Sequence, residues 1–403
     1  MKQRPEYLKR LIKWKEKHLI KVITGVRRCG KSTLMSLFIE YLKSTGVGDD
    51  QIVAVNLEDI ENKQLLNNQV LYDYLKERLC DGKYTYVFID EVQQCPQFET
   101  VVDSLFLKEN VDVYITGSIA YMLSGELITL LSGRYVEIRM LPLSFSEYLS
   151  FTGNSRTNAA FNNYLKYGSF PYVAALDKET SLAKEYIDGI YNTILIKDVA
   201  KREGIRDISV LESIVTHMSG HIGRSVSVKK ICDTINASGR KVSINTVERY
   251  MRALTDSMMF CKIDRYDIKA GQSLKTLGKY YIVDSGFRDL LLSGSAPDLG
   301  LLLENIVYLE LIRRGYKVNI GKIADKEVDF VARHESGRNY YQVAVTTLAP
   351  DTLTNELEPL QMIQDHHPKY LLTLDEFNAG VNHNGIRQYN VLDWLTNAVD
   401  TAT

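Results

Sequence analysis

The feature that most constrains this chain is a glycine-bracketed loop near its N-terminus. Residues 25–32 are Gly-Val-Arg-Arg-Cys-Gly-Lys-Ser and match the pattern G-x-x-x-x-G-K-[ST] at every fixed position. An apolar run at 19–23 precedes the loop and predicts a buried strand, and apolar residues recur at helical spacing over 34–42. A strand, a loop and a helix in this order are the context in which the pattern binds phosphate.

The residue types in this loop suit a polyphosphate such as that of ATP. Gly25 and Gly30 permit the backbone path and its close approach to a ligand. Main-chain N–H groups and the positive end of the helix dipole would hold the phosphates. Lys31 would reach the β and γ phosphates, and the Ser32 hydroxyl would bind Mg²⁺. The predicted nucleotide-binding residues are Gly25, Val26, Arg27, Arg28, Cys29, Gly30, Lys31, Ser32 and Thr33. The alternative is an ordinary glycine-containing turn between a strand and a helix.

A second signal comes some 60 residues later, where the apolar stretch 84–89 runs into Asp90 and Glu91. An apolar strand ending in two acids is the Walker B pattern. Asp90 would bind Mg²⁺, and Glu91 would act as the general base that polarises the attacking water. Taken alone, such a strand could equally be a solvated strand end, but its distance from the glycine-bracketed loop favours the catalytic interpretation.

Two further candidates follow in the chain. The strand predicted at 111–116 would lie beside the strand that leads into the loop, with Thr116 or Ser118 near the γ-phosphate. Arg134, at the start of a strand predicted at 135–140, could act on a neighbouring subunit as an arginine finger, a role that contributes roughly 10³–10⁵ in rate. The alternatives are a polar strand end for the first and a surface arginine for the second.

Strands and helices alternate over residues 1–150, which predicts a parallel sheet covered on both faces, with nucleotide at the carboxyl ends of its strands. The fold class is therefore α/β. The absence of a G-x-G-x-x-G fingerprint argues against a dinucleotide fold, and the absence of a kinase catalytic-loop pattern argues against a protein kinase.

Bulk properties narrow the choice further. A chain of 403 residues is expected to form two or three domains. Its net charge of −1 means that any nucleic-acid contact must come from a local patch. The five cysteines form no C-x-x-C pair, which fits a reduced cytoplasmic setting and disfavours a cysteine metal site. No apolar run approaches the roughly 20 residues of a membrane span.

The middle of the chain is predicted to be helical. Residues 151–205 form a helical linker or lid, and residues 206–295 follow the order of a winged helix-turn-helix. Its predicted elements are helices at 210–220, 227–235 and 243–254, and strands at 259–263 and 279–283.

Residues 197–275 carry fifteen basic residues against nine acidic ones. This local excess suits contact with the phosphates of DNA, although winged helices also serve as protein-interaction modules. The candidate contacts are Arg240, Lys241, Asn245, Arg249 and Arg252 on the recognition element, and Lys269 and Lys275 on the wing.

Residues 296–403 predict a helix, three strands, a second helix and further strands. Glu304 on the first helix, Asp329 on the second strand and Gln342 on the third resemble the PD-(D/E)XK arrangement of restriction-endonuclease-like domains. That chemistry needs two acids for Mg²⁺ and a lysine that orients water. Gln342 could coordinate weakly, but Ala344 occupies the position of the lysine. We therefore expect a nuclease-shaped domain that is catalytically degenerate.

Taken together, nearly the whole chain resembles the bacterial and archaeal AAA-like ATPases that join an N-terminal P-loop domain to a winged helix and a C-terminal domain of unknown function. The residues that support this are 25–33, 86–92, 115–118, 131–134, 141–145, 303–305 and 328–330. The resemblance implies ATP binding and hydrolysis, a sheet with the additional-strand order, and a C-terminal domain related to restriction nucleases. It implies no agreed biological role.

The sequence thus favours a cytoplasmic Mg²⁺-dependent ATPase that acts as a switch or motor, coupled to DNA or to a protein partner, with a homo-oligomer as one option and no membrane contact. Two alternatives stay open. One is an ATP-regulated nuclease, and the other is a DNA-binding regulator that holds nucleotide without hydrolysing it.

Overall fold

The structure is a computed structural model that describes residues 4–117, 131, 133–176, 179–293, 298–335 and 337–396. The chain divides into two compact units. One consists of Met1–Pro142 and Asp256–Met258, and the other of Leu143–Thr255 and Met259–Thr403.

The first unit is built on a five-stranded sheet in the order β2-β3-β4-β1-β5. All its strands are parallel. The strand β4 pairs with β1, as the sequence predicts for the strand beside the loop. The strands are β1 (Ile20–Gly25), β2 (Ile52–Asn56), β3 (Thr85–Asp90), β4 (Val111–Gly117) and β5 (Tyr135–Met140).

Every residue of β1, β3 and β4 is buried, which is expected for the central strands of a parallel sheet covered on both faces. Val22, Ile89 and Ile115 lie in a core cluster with apolar residues of the flanking helices. The helices of this unit are α1 (Pro5–Trp14), α2 (Lys31–Ser44), α3 (Asn68–Lys76) and α4 (Phe98–Phe106), with short 3₁₀ turns at Asp49–Gln51, Ile60–Leu66 and Val92–Gln94. Of these helices, α3 and α4 contribute residues to the cluster.

The second unit begins with helices. The first of them, α5, starts with a capping box in which the Ser144 hydroxyl accepts from the Glu147 N–H, and it ends at Gly153 in the left-handed conformation. The helices are α5 (Phe145–Thr152), α6 (Asn158–Tyr167), α7 (Pro171–Leu176), α8 (Thr180–Thr193), a π-helical stretch Ile194–Ala200, α9 (Lys201–Glu203), α10 (Ile208–Gly220), α11 (Val228–Ala237), α12 (Ile244–Asp256), α13 (Ser285–Leu291), α14 (Leu299–Arg313), α15 (Pro350–Gln361) and α16 (Val391–Leu395).

The same unit contains an eight-stranded mixed sheet in the order β12-β13-β11-β10-β9-β8-β6-β7. The strands are β6 (Phe260–Asp267), β7 (Gln272–Ile282), β8 (Lys317–Ile323), β9 (Lys326–His334), β10 (Gly337–Val343), β11 (Lys369–Thr373), β12 (Asn382–His383) and β13 (Ile386–Asn390). The hairpin β6–β7 is therefore joined to the strands that follow it through the parallel pair β6–β8.

The compact units differ from the borders that the sequence predicts. The unit with the parallel sheet ends its main segment at Pro142, before 150, because α5 belongs to the second unit. The border predicted at 295 separates strands that pair in one sheet, since β6 contacts β8. Composition carries no signal for such a pairing between distant strands.

Among the described residues, no helix has both the length and the apolar character needed to cross a lipid bilayer.

Candidate nucleotide-binding site

The glycine-bracketed loop lies between β1 and α2, where the sequence places it. Gly30, immediately before the helix, has a φ of 101°, a left-handed conformation that favours glycine. Gly25 is required for a different reason. A Cβ added to Gly25 would lie 2.6 Å from the carbonyl oxygen of Met140 and 2.7 Å from Sγ of Cys29. Gly30 therefore permits the backbone turn before α2, and Gly25 permits the close packing of β1 against β5.

The other loop residues divide by exposure. Val26, Cys29 and Lys31 are buried, Arg27 is half-buried, and Arg28, Ser32 and Thr33 are exposed. Arg28 has a φ of 66°, an unfavourable conformation for a residue with a side chain. The ends of the Arg27 and Glu58 side chains lie 3.5 Å apart. The exposed hydroxyls of Ser32 and Thr33 lie in the first turn of α2, where the helix dipole is positive.

Lys31 connects the loop to the second sequence signal. Its ammonium donates to the carbonyl oxygen of Gly25 at 3.2 Å and lies 3.9 Å from Oε1 of Glu91. The side chain is only 5% exposed, so this charge is largely removed from water. Lys31 and Glu91, which the sequence predicts separately, are thus brought together at the carboxyl ends of β1 and β3.

Asp90, Glu91 and Thr116 form one hydrogen-bonded group. The fully buried Thr116 hydroxyl donates to Oδ1 of Asp90 and accepts from the main-chain N–H of Glu91, at 3.0 Å in the second case. Glu91 has a φ of 53°, so the chain turns sharply directly after β3. The geometry places Thr116 as the residue that holds the two acids of the Walker B pattern in position. Its predicted contact with a γ-phosphate stays a prediction.

Gln93 was not identified from the sequence. Its Nε2 donates to Oε2 of Glu91, and its Oε1 is buried without a hydrogen-bond partner in the described structure. A buried amide oxygen without a donor is costly, so this atom marks a place where a water or ligand group would be stabilised. The only sequence signal is proximity, because Gln93 lies two residues after the general-base candidate.

The donor set fits a magnesium nucleotide. The Ser32 hydroxyl stands at the start of α2, and the Asp90 carboxylate uses only one oxygen for Thr116 among the described contacts. Hydroxyl and carboxylate oxygens are hard ligands of the kind Mg²⁺ prefers. Gly25 lets Met140 and Cys29 pack against the start of the loop, where a side chain would collide with both. The arrangement combines a buried ammonium group, oxygen donors of the kind that Mg²⁺ prefers and a second carboxylate.

Comparisons with known proteins show the family to which the chain belongs. The profile of a family described as an AAA domain matches residues 17–149, and that of a domain of unknown function (DUF8612) matches residues 158–298. An uncharacterized protein of Haemophilus influenzae is 37% identical over 400 residues, covering 98% of both chains. The chain belongs to this family of AAA-domain proteins. An uncharacterized protein of Methanocaldococcus jannaschii is 30% identical over 335 residues, covering 77% of this chain and 71% of its own.

Among solved structures, a Walker-type ATPase of Pyrococcus abyssi superposes with a TM-score of 0.50 at 15% identity, covering 72% of this chain and 96% of its own. At this identity the likeness concerns the fold alone. Together with the parallel sheet, it supports an AAA-like P-loop ATPase fold for the first unit.

Arg134 lies at the opposite edge of the AAA domain sheet. Its carbonyl oxygen accepts from the N–H of Ile20, the first residue of β1, whereas the loop follows the last residue of that strand. Six residues of strand separate the two edges, roughly 20 Å. Its guanidinium is paired with Asp103 and lies 5.7 Å from the ring of Phe106. Arg134 therefore does not reach the loop of its own chain, and action on a second copy stays a prediction. Ser118 lies outside the described residues.

The three residues of the predicted nuclease-like site do lie near one another in the second unit. Oε1 of Gln342 accepts from the N–H of Asp329 at 3.3 Å, and Oδ2 of Asp329 accepts from the N–H of Val343 at 2.8 Å. Desolvation, and after it the nearby Glu304 carboxylate, raise the pKa of Asp329 well above its usual range. In the described parts of the chain, no group of three or more His, Cys, Asp or Glu side chains is arranged to hold a metal ion.

Lys279 in β7 is the residue of this cluster that sequence reasoning missed. Its ammonium lies 3.1 Å from Oε1 of Glu304 and 2.7 Å from Oε1 of Glu327. Burial lowers the pKa of Lys279, but the carboxylates of Glu304, Asp329 and Glu327 outweigh burial and the pKa is raised. Tyr281, two residues along the same strand face, also donates to Glu304. The period-2 spacing of Lys279 and Tyr281 could have shown that they share a face, but not which helix they meet.

The candidate DNA contacts whose side chains the structure describes fall into two groups. Asn245, Arg249 and Arg252 lie on the exposed face of α12, at the spacing of one helical stripe, and Lys241 and Lys269 are also exposed. Arg240 differs, because it donates to the carbonyl of Ser209 and the hydroxyl of Ser213 on α10, at 3.0 and 2.6 Å. Lys275 lies in β7, and its side chain is outside the described part of the structure.

Proposed function

We propose that the first unit binds Mg²⁺–ATP and hydrolyses it. The observation that carries this proposal is the 3.9 Å approach of Lys31 Nζ to Glu91 Oε1 beside the hydroxyl of Thr116, which holds both Asp90 and Glu91. Lys31 would exchange its bond to the Gly25 carbonyl for phosphate oxygens of the nucleotide. Ser32 and Asp90 would hold Mg²⁺, which when bound neutralises charge on the β and γ phosphates.

Glu91 would take the proton of the attacking water. Its carboxylate has one oxygen bonded to Gln93 and the other near Lys31, so a water at the γ-phosphate must compete with these contacts. Gln93 is thus placed to limit turnover until the site is complete. Thr116 keeps the Asp90 carboxylate and the Glu91 main chain fixed during this step, because its hydroxyl is bonded to both.

Two variants separate binding from chemistry. Lys31→Ala should remove nucleotide binding, and Glu91→Gln should keep binding while phosphate release falls by at least about 100-fold. Lys43→Ala on the exposed part of the same helix and the exposed Glu61→Gln serve as matched controls with unchanged turnover. Normal hydrolysis by both Lys31→Ala and Glu91→Gln would sink the assignment.

We propose in addition that α10, α11, α12 and the hairpin β6–β7 form a winged helix that contacts DNA. Three helices followed by a hairpin support this, and Ser225, between α10 and α11, bridges to Lys279 in the hairpin. Arg249→Ala and Arg252→Ala together should reduce the slope of log affinity against log salt by about 2, because each phosphate contact contributes about 0.9. The exposed Lys63→Ala is the control. An unchanged slope would favour a protein partner for this surface.

We also propose that Arg134 acts in turnover on a neighbouring copy. It would have to leave Asp103, its partner in this chain. Mixing Lys31→Ala with Arg134→Ala subunits tests this, since sites formed between the two variants can pair an intact Lys31 with an intact Arg134. Recovery of turnover in the mixture supports action across subunits, and additive loss refutes it.

For the cluster around Glu304 we propose a structural role. Lys279 neutralises the acids that would otherwise require a cation, and position 344 is alanine. Plasmid incubated with the protein, Mn²⁺ and ATP should stay intact. Cleavage that disappears in Asp329→Ala would contradict this and revive the nuclease alternative.

A further inference from the structure

Arg4, the residue before α1, is buried against the phosphate-binding loop. Only 4% of the surface of Arg4 is exposed to solvent. One guanidinium nitrogen donates to the carbonyl oxygens of Cys29 and Leu141 at 3.0 and 2.9 Å, and the other donates to that of Pro142 at 3.3 Å. A single charged group near the N-terminus thus joins the loop to the segment that follows β5.

Tyr7 completes this attachment from the first turn of α1. The Arg4 guanidinium lies 4.7 Å from the centre of the Tyr7 ring, and the Tyr7 hydroxyl accepts from the N–H of Leu141 at 3.1 Å. Both main-chain groups of Leu141 are therefore bonded to side chains of the N-terminal segment. Tyr7 is 2% exposed, so this attachment is shielded from competing water.

The contact with Cys29 has a geometric consequence for the next residue. In a trans peptide the C=O of one residue and the N–H of the next point in opposite directions. All peptide bonds of the described residues are trans. Because the Cys29 carbonyl points at Arg4, the N–H of Gly30 points away from Arg4. Gly30 is the residue of the loop pattern directly before Lys31, and as the N-cap of α2 it has an N–H without a partner inside the helix.

We propose that Arg4 is a positioning residue of the nucleotide site, which fixes the peptide plane between Cys29 and Gly30 so that the Gly30 N–H is set to meet phosphate. This inference rests on the proposed nucleotide binding by the loop. The role suits arginine, because its planar fork can donate to several carbonyl oxygens at once, whereas lysine offers a point charge.

The charge of Arg4 also acts on the loop. Burial raises the pKa of the Cys29 thiol, and Lys31 and Arg4 oppose this rise through their positive charges. A cation felt at Cys29 also favours an anion bound by the same loop, because the surroundings are of low dielectric constant. Arg4 therefore contributes both orientation and positive potential without touching the ligand.

The test compares Arg4→Met and Arg4→Lys with Arg10→Met. Arg10 lies on α1, the helix that follows Arg4, and donates to the carbonyl of Glu137 in β5 at 3.3 Å, away from the loop. The first readout is the affinity for ADP with Mg²⁺. Arg4→Met should weaken it about tenfold, the loss of about 1.4 kcal/mol. Arg4→Lys should fall between, and Arg10→Met should equal the wild type. In turnover, KM for ATP should rise with kcat nearly unchanged, because the Gly30 contact is present before and during the reaction.

The second readout needs no nucleotide. Amide exchange followed by mass spectrometry over residues 26–33 should be faster in Arg4→Met than in the wild type and in Arg10→Met. Equal ADP affinity and equal exchange in Arg4→Met and wild type would overturn the proposal. Equal losses in Arg10→Met and Arg4→Met would also overturn it, because Arg4 would then only anchor α1. If the wild type itself bound no nucleotide, the proposed function would fail, and the exchange result would still decide whether Arg4 orders the loop.

Discussion

Thr116 offers the sharpest test of how the site is held together. Its hydroxyl donates to Asp90 and accepts from the N–H of Glu91, and valine has nearly the same shape without the hydroxyl. Thr116→Val therefore removes two hydrogen bonds and creates little cavity. Because Thr116 is fully buried, water cannot replace the lost groups.

The expected loss in the free energy of unfolding follows from the two hydrogen bonds that Thr116→Val removes. The bond to the Asp90 carboxylate involves a charged group and contributes about 1.5–3 kcal/mol, and the neutral bond to the Glu91 N–H contributes about 1 kcal/mol. We therefore expect Thr116→Val to lower the free energy of unfolding by about 2–4 kcal/mol. A misplacement of the acids by about 1 Å would lower kcat by about 100-fold. Thr116→Ser keeps the hydroxyl and loses one methyl, so it should cost about 1 kcal/mol and retain most turnover.

Amide exchange measured without nucleotide reports directly on the hydrogen bond between Thr116 and the Glu91 N–H. In Thr116→Val, peptides covering residues 85–94 should exchange faster, because the Glu91 N–H has lost its acceptor. Thr116→Ser should exchange like the wild type. If Thr116 served only to sense a γ-phosphate, exchange in the absence of nucleotide would not change. Wild-type exchange and wild-type kcat in Thr116→Val would refute the reasoning.

Gly25→Ala should abolish tight nucleotide binding and cost about 1–3 kcal/mol in urea unfolding, since its Cβ would lie 2.6 Å from a main-chain oxygen of β5. Gly189→Ala, which meets nothing within 4 Å, is the control and should not lose stability. Burial raises the pKa of Asp284 from 3.8 to about 6, so the folded unit keeps a proton that the unfolded chain has released. Its contribution to stability should fall by about 3 kcal/mol as pH rises from about 3 to about 7, and Asp284→Asn should flatten this slope in pH-dependent urea melts. Lys279→Met should lower the free energy of unfolding by about 3–5 kcal/mol because Glu304 loses its cation, and an unchanged melting temperature would contradict that.

The first unit shows how far a sequence pattern reaches. The loop at 25–32, the apolar strand before Asp90 and the strand ending at Thr116 are all local features, and each is found at the predicted place. Parallel strands with short connections have their carboxyl ends at one edge, so local signals converge there without further information. Strand order adds one requirement, namely that β4 lies between β1 and β3, and the structure meets it.

Arg134, Lys279 and Arg4 show where a sequence pattern stops. Arg134 follows Thr116 in the expected order, but it precedes β5, and the start of a parallel strand lies at the edge opposite to the loop. Lys279 bonds to Glu304 and Arg4 bonds to Cys29, in each case across 25 residues of sequence. These contacts depend on how the elements pack and not on a local spacing. No periodicity in the sequence marks such partners, because the side-chain types involved are also typical of exposed positions.

The sheet of the first unit carries buried charged groups at the amino ends of its strands and at their carboxyl ends. The two sets differ in how completely they are hydrogen-bonded, and only the set at the carboxyl ends is a candidate for chemistry. At the amino edge the ammonium of Lys21 pairs with Asp112, which also accepts from the Tyr114 hydroxyl at 2.7 Å and the Glu16 N–H at 2.9 Å. Burial raises the pKa of Asp112 while Lys21 opposes the rise, and both groups have their partners within the fold. Such a closed pair fixes the structure and has little capacity left for a ligand.

At the carboxyl edge the same kinds of group are incompletely bonded. The ammonium of Lys31 has a carbonyl at 3.2 Å and a carboxylate only at 3.9 Å, and Oε1 of Gln93 lacks a donor in the described structure. A buried polar group without a hydrogen-bond partner lowers the stability of the fold. A bound triphosphate and its water would supply the missing partners of Lys31 and Gln93. Gln93→Leu, which removes the hydrogen bond that restrains the Glu91 carboxylate, should therefore raise the basal rate of hydrolysis, measured by phosphate release. An unchanged or lower rate would show that Gln93 does not restrain Glu91.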